Sequence, residues 1–289
     1  MSLLGKIAIV TGGGSGIGEA VSQELARRGA TVVVADINSG DASRVAEPIV
    51  RQGSRAEARQ VDVSGEDAVR QMVEETAASH GRLDYLFNNA GIGIGGDARD
   101  LTSEHWRRVL GVDLFRVIYG TLAAYPIMTR QGFGHIVNTS SAAGLLPGPF
   151  NAPCNTSKHA VVGLSLSLRI EAADLGVKVS VVCPGFVRTS IYQTAVTVNI
   201  PQDKASPSAR LAAWMMEPPR AAQVILNGVE KNQAVIVFPA SIRWVWRAYR
   251  IAPAPISRLL APLLRKRIRE LRSYRLTSDE AKKAAEGQS

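Results

Sequence analysis

The sequence predicts an α/β protein built on a doubly wound parallel sheet with helices on both faces. Three observations lead there. Apolar, strand-like segments alternate with amphipathic, helix-like ones through the first 240 residues, the pattern of parallel strands joined by right-handed helical crossovers. The early strand candidates are continuously apolar, as in Thr31-Val32-Val33-Val34, which suits strands covered on two sides. A glycine-rich run, Thr11-Gly12-Gly13-Gly14-Ser15-Gly16-Ile17-Gly18, begins where the apolar Ile7-Ala8-Ile9-Val10 stops and leads into an amphipathic segment.

Taken in order, strands are expected near 6–11, 31–36, 55–61, 83–88, 133–140, 177–183 and 234–237. Helices are expected near 16–29, 41–52, 66–80, 103–130, 153–175 and 218–231. One long connection, about 186–216, is rich in Thr, Ser and Pro and ends in Trp214-Met215-Met216. After the sixth strand of such a sheet, a segment of this length reads as a substrate lid.

A chain of 289 residues buries one full core without a second domain, and no apolar run is long enough to span a bilayer. Residues 1–240 read as that domain and 241–289 as an extension without a core of its own. The N-terminus reads as a first strand and not as a signal peptide. With only two cysteines, Cys154 and Cys183, a disulfide framework is not expected, and a reducing, cytoplasmic setting is. The four histidines form no metal-ligand pattern, so no metal is expected. The net charge of +9 is uneven: residues 241–275 hold ten Arg or Lys against the single acid Glu270, leaving the body nearly neutral.

Strand, glycine turn and helix together present free N–H groups and a helix N-terminus to a pyrophosphate. Gly12 permits the sharp turn, Gly16 the approach of backbone to phosphate, and Gly18 close packing of helix on strand. Glu19, where an ATP-binding loop requires lysine, excludes that alternative. Asp36 closes the second strand, placed to accept hydrogen bonds from the ribose hydroxyls of a dinucleotide and to repel a 2′-phosphate. No Arg or Lys lies in the loop or just after Asp36, so NAD is expected over NADP.

The spacing Gly-x-x-x-Gly-x-Gly, with Asn88-Asn89-Ala90-Gly91 after the fourth strand and Pro184-Gly185 after the sixth, resembles the classical short-chain dehydrogenase/reductase family over about residues 5–240. The resemblance implies a Rossmann-type, seven-stranded doubly wound sheet, hydride transfer between nicotinamide and a carbinol carbon, and a homodimer or homotetramer. It implies that Gly12, Ser15, Gly16, Ile17 and Gly18 hold the pyrophosphate, and that Asp62 and Val63 lie beside the adenine. It places Asn89, Ala90 and Gly91 along the cofactor, and Pro184, Gly185, Val187 and Thr189 at the nicotinamide carboxamide. Ser141 takes the place of the serine that binds the substrate oxygen, and Lys158 that of the lysine on the nicotinamide ribose.

The family's tyrosine belongs four residues before that lysine, and Cys154 stands there. Asp113 likewise replaces the supporting asparagine, a change expected to be mild because the side-chain oxygen survives. Lys158, one turn away, favours a thiolate at Cys154, with its pKa falling toward neutrality. The obstacle is reach, since a cysteine side chain is far shorter than a tyrosine. Three readings stay open: an introduced substitution, a natural enzyme with relayed chemistry, or a cofactor-binding protein without turnover. Tyr192, in the lid, is an alternative source of a hydroxyl.

The expected substrate is an apolar alcohol or ketone, from the apolar segments Ala143–Pro147 and Phe186–Met216. In the tail, Ile256, Leu259, Leu260, Leu263, Leu264, Ile268 and Leu271 recur at helical spacing, with arginines elsewhere on the wheel. Such a helix either packs on the body or a neighbouring subunit, or lies on an anionic membrane surface through 241–275. No nucleic-acid-binding motif accompanies the charge, and no nucleic-acid partner is expected.

Overall fold

A computed structural model describes residues 2–205 and 212–274. Seven parallel strands form one sheet: β1 (Ile7–Thr11), β2 (Thr31–Asp36), β3 (Arg55–Gln60), β4 (Tyr85–Asn88), β6 (Gly134–Thr139), β7 (Val177–Pro184) and β9 (Val235–Phe238). Their order is β3-β2-β1-β4-β6-β7-β9. The order reverses between β1 and β4, which opens a crevice at the carboxyl ends of the central strands. All seven fall where the sequence places them.

Side-chain alternation along β1 and β2 explains the continuous apolar runs. Ala8, Val10, Val32 and Val34 face one layer, packing with Leu25 of α1 (Gly16–Arg27), Val45 of α2 (Ser39–Arg51) and Ile225 of the helix Pro218–Glu230. Ile7, Ile9, Val33 and Ala35 face the other, with Met72 of α3 (Glu66–His80), Met128 of α5 (Arg116–Gln131) and Leu168 of α6 (Ala152–Glu171). At the edge, β3 reads Arg-Ala-Glu-Ala-Arg-Gln, a charged strand that discourages edge-to-edge pairing.

Three expectations are corrected. The helix expected over 103–130 is α4 (Ser103–Leu110), a single π-helical turn at Gly111–Phe115, and then α5. Such a turn inserts one residue into the helical register and re-aims the side chains it carries, among them Asp113. Two short strands, β5 (Ile94–Gly96) and β8 (Val196–Val198), pair as a separate parallel ribbon that gives the supposedly irregular lid some order. The lid also contains the short helices α7 (Ile191–Thr194) and α8 (Gln202–Ala205). Part of it, 206–211, lies outside the described residues.

The tail is two helices rather than one. With Pro218–Glu230 as α9, they are α10 (Ala240–Ile251) and α11 (Pro253–Ser273), broken at Ala252 before Pro253, whose ring disfavours the helical conformation of the residue preceding it. Among the described residues, no helix is long and apolar enough to cross a membrane.

Candidate active site

The glycine turn is shaped by contact as well as by conformation. Gly12 has φ +62°, and a Cβ there would meet Ala90 Cα at 2.7 Å. A Cβ on Gly18 would collide with the carbonyl oxygen of Gly12, so α1 packs on the turn at backbone distance. Ser15 caps α1 without a side-chain hydrogen bond, whereas Asn38 and Thr102 cap α2 and α4 through theirs. The first turn of α1 is therefore left with donors free of a side-chain cap, as a bound pyrophosphate requires.

Asp36 is built into the same loop: Oδ2 accepts from Gly14 N–H (3.0 Å) and Oδ1 from Asn38 N–H (3.1 Å). The fold brings one cation close that the linear sequence hides. Arg44 of α2 donates to the Gly14 carbonyl and pairs with Glu19 (3.1 Å) and Asp41 (3.5 Å). Its charge is thus compensated on both sides.

Asn89 stitches the sheet beneath the crevice. Its side-chain N–H donates to Thr11 O (3.2 Å), its backbone N–H to Thr11 Oγ1 (2.9 Å), and its Oδ1 accepts from Thr139 Oγ1 (3.3 Å). A buried chain continues from Asn88 to Asn138 (2.9 Å) and on to Ser165 of α6 (3.0 Å), tying the sheet to the helix that carries Cys154 and Lys158. These polar links are fully paired, which makes burial tolerable and fixes the position of α6.

One cleft of about 1460 Å³ runs from Asp36, Asp62 and Val63 past Gly12, Ser15, Gly16, Ile17, Asn89, Ala90 and Gly91 to Ser141, Cys154 and Lys158. Pro184, Gly185, Val187 and Thr189 line its far wall. That volume exceeds the ~300–1,000 Å³ usual for one drug-sized ligand and suits a dinucleotide together with a second molecule. Gly18 lies behind the lining and Asp113 beneath it. Thr189 lies over Gly16, since a Cβ there would meet Thr189 Cγ2 at 2.9 Å.

The reacting end departs from expectation in two ways. Asp113 is completely buried, and its Oδ2 lies 3.1 Å from Lys158 Nζ, an ion pair too poorly aligned for a directed hydrogen bond. Its Oδ1 accepts from Ile92 N–H (3.0 Å). A carboxylate therefore engages the lysine directly, where the sequence reading anticipated only a surviving side-chain oxygen. The expectation of a lowered Cys154 pKa is also corrected: burial pushes the thiol up, Lys158 pulls the other way, and Asp113 adds to the rise.

Ser141 caps the short turn 142–144 by accepting from Ala143 N–H (3.1 Å) and remains on the cleft wall. Tyr192 also lines the cleft, and its phenol is shifted up by burial, with the Val187 N–H opposing. Cys183 is fully buried, and its thiol is pushed up to about 12. Among the described residues no cluster of metal-ligating side chains occurs.

Arg116 escaped the sequence reading. It sits one residue beyond the π-turn, 1 % exposed, with Nη2 donating to Thr139 O (3.3 Å) and with Nε and Nη1 unpartnered among the described residues. Burial pushes its pKa down to about 10, and the nearby Asp113 opposes that shift, so it stays protonated at neutral pH. Arg116, Asp113 and Lys158 thus form a buried array of two cations around one carboxylate. An arginine following an acid at helical spacing is the one local signal, and it is indistinguishable from a surface pair.

The short chain dehydrogenase family model matches residues 6–198, and the chain belongs to that family. It is 36 % identical over 224 residues to a cyclohexanol dehydrogenase of Acinetobacter sp. strain SE19, covering 76 % of this chain and 86 % of that one. It is 33 % identical over 266 residues to the protein SadH of Mycobacterium tuberculosis, covering 90 % and 95 %. A short chain dehydrogenase/reductase from Burkholderia phymatum, solved in complex with NAD, superposes with a TM-score of 0.77 at 29 % identity, over 87 % of this chain and 95 % of that one. The chain is accordingly an oxidoreductase of the alcohol–ketone class on a Rossmann-type fold.

Proposed function

We propose that this protein uses NAD to interconvert an apolar secondary alcohol and its ketone. The observation that carries the reading is the single cleft joining Asp36 at its adenosine end to Ser141, Cys154 and Lys158 at its reacting end. Ile94, Phe150, Phe186 and Ile200 supply apolar lining beyond them. The cyclohexanol dehydrogenase relative and the NAD-bound neighbour support the same substrate class and cofactor.

When bound, NAD would supply the hydride acceptor for the carbinol carbon. Backbone donors of Ser15, Gly16 and Ile17 bind its pyrophosphate over the turn shaped by Gly12 and Gly18, and Asp36 takes the ribose hydroxyls. Asp62 and Val63 flank the adenine, and Asn89, Ala90 and Gly91 border the ring system. Pro184, Gly185, Val187 and Thr189 hold the carboxamide end. Lys158 binds the nicotinamide ribose while paired to Asp113, and Ser141 orients the substrate oxygen. The Cys154 sulfur stops roughly 4–5 Å short of a tyrosine hydroxyl built on the same backbone, where misplacement by about 1 Å already costs ~100-fold. The alcohol proton therefore leaves through water, and turnover is slow. A short, protonated thiol also favours a second reading, a cofactor-binding protein without turnover.

The test follows reduced cofactor during incubation with cyclohexanol and a series of 2-alkanols. NAD is expected to support turnover at least about tenfold better than NADP, from the Asp36 carboxylate. A preference for NADP overturns the cofactor assignment, and tight NAD binding without turnover of any of these alcohols overturns the proposed substrate class and favours the second reading.

We place this chemistry on residues 1–240, with 241–289 as a basic extension and not an independent domain, in a protein that assembles as a homodimer or homotetramer in the cytoplasm. The α10–α11 elbow is proposed to touch anionic lipid. Trp244 and Ile251 are exposed beside Arg247 and Arg250, whose guanidinium groups lie over Trp244 (5.3 Å) and Trp246 (5.1 Å). Flotation with phosphatidylserine vesicles is expected to carry the protein upward, less so at high salt. Absence from the vesicle fraction overturns this contact.

A further inference from the structure

The basic tail does not simply trail from the body. Leu271, near the end of α11, is buried, and Ile256, Leu264 and Ile268 are half-buried along the same helix. Arg267, Glu270, Leu271 and Tyr274 line the substrate cleft itself. Two separate parts of the cleft rim hold them there. Arg272 Nε donates to Asp97 Oδ2 (2.8 Å), directly after β5. On the lid side, Arg267 Nη2 donates to Lys204 O (2.9 Å) in α8, and the Lys204 ammonium lies 5.5 Å from the centre of the Tyr274 ring.

Asp97 is a strong anchor. Its carboxylate is 9 % exposed and also takes two hydrogen bonds from the Arg99 guanidinium (3.0 and 2.9 Å). Arg99 first, and Arg272 after it, hold the Asp97 acid far below the usual carboxylate range. β5 pairs with β8 of the lid, so the tail helix, the ribbon and α8 close on one another around the cleft mouth.

We infer that α11 is a wall of the substrate cleft, latched by Arg272–Asp97, and that it sets the size of molecule admitted to Ser141 and Cys154. This rests on the oxidoreductase reading for its purpose but not for its geometry. The apolar Leu271 and the Tyr274 ring line the same cleft as the reacting residues, so the wall selects compact apolar substrates and turns bulky ones away. Arg272 acts by positioning that wall and takes no part in the chemistry.

Cys154 lines the cleft and serves as an internal reporter, so the test needs no turnover. Its alkylation by iodoacetamide and by fluorescein maleimide is followed by intact mass, with Cys154→Ala confirming that the buried Cys183 stays unmodified. In Arg272→Ala the ratio of bulky to small reagent rates is expected to rise about fivefold, the scale of one partly exposed ion pair. Arg272→Lys, which keeps the charge pair, is expected to restore most of the original ratio. An unchanged ratio in Arg272→Ala overturns the inference, as does equal opening in the Ala and Lys variants. Turnover of 2-propanol against cyclohexanol in the same variants reads substrate choice separately, so failure to turn over either alcohol defeats the proposed substrate class without touching the wall.

Discussion

The two ends of the cleft are built from different materials. At the adenosine end, contact is made by backbone: glycines without room for a Cβ, an α1 terminus with no side-chain cap, and one carboxylate fixed by two backbone N–H groups. At the reacting end, contact is made by side chains whose charges answer one another: Asp113, Lys158 and Arg116 buried together, with Cys154 above them. A backbone site depends on shape and is most sensitive to the loss of a glycine, with Asp36 the one side chain that sets its charge. A side-chain site changes function with a single replacement and leaves the fold standing. On the proposed reading, the end that binds the cofactor keeps its shape while Cys154 changes the chemistry available at the other end.

The contrast breaks most sharply at Gly18. Gly18→Ala forces a Cβ against Gly12 O, and overpacking of about 2–3 kcal/mol in the turn weakens NAD binding roughly 100-fold, measurable by calorimetry. Binding within threefold of the parent would mean that the turn yields easily and that its shape is not what selects the cofactor.

A smaller effect is expected at Asp113. Its carboxylate adds to the rise of the Cys154 thiol pKa and offsets Lys158, so Asp113→Asn leaves the lysine charge unopposed. The sign follows directly. The thiol pKa falls, the thiolate fraction at a fixed pH below it grows, and the alkylation profile shifts to lower pH. Iodoacetamide is therefore expected to react severalfold faster at pH 8. An unmoved profile would show that the buried pair does not govern the thiol.

Much of the sheet was legible because its residues are covered on both faces: Val32, Val33 and Val34 leave no other reading. The glycine turn and Asp36 were legible for the same local reason. What stayed hidden was set by distance along the chain. Arg44 reaches Gly14 only after α2 folds back, and Arg272 meets Asp97 across 175 residues. The π-turn was hidden too, since Gly111 and Val112 read as ordinary helix, and Asp113 lies within it. Cys154 was visible as a replacement, but its protonation depended on burial that no local pattern records.

The most direct measurement compares NAD affinity and single-turnover oxidation of cyclohexanol in the parent and in Cys154→Tyr. Equal NAD affinity in both, with a rate gain of ~10²–10⁴ for the tyrosine variant, is the predicted result. Equal rates in the two proteins would contradict it and remove position 154 from the path of the proton.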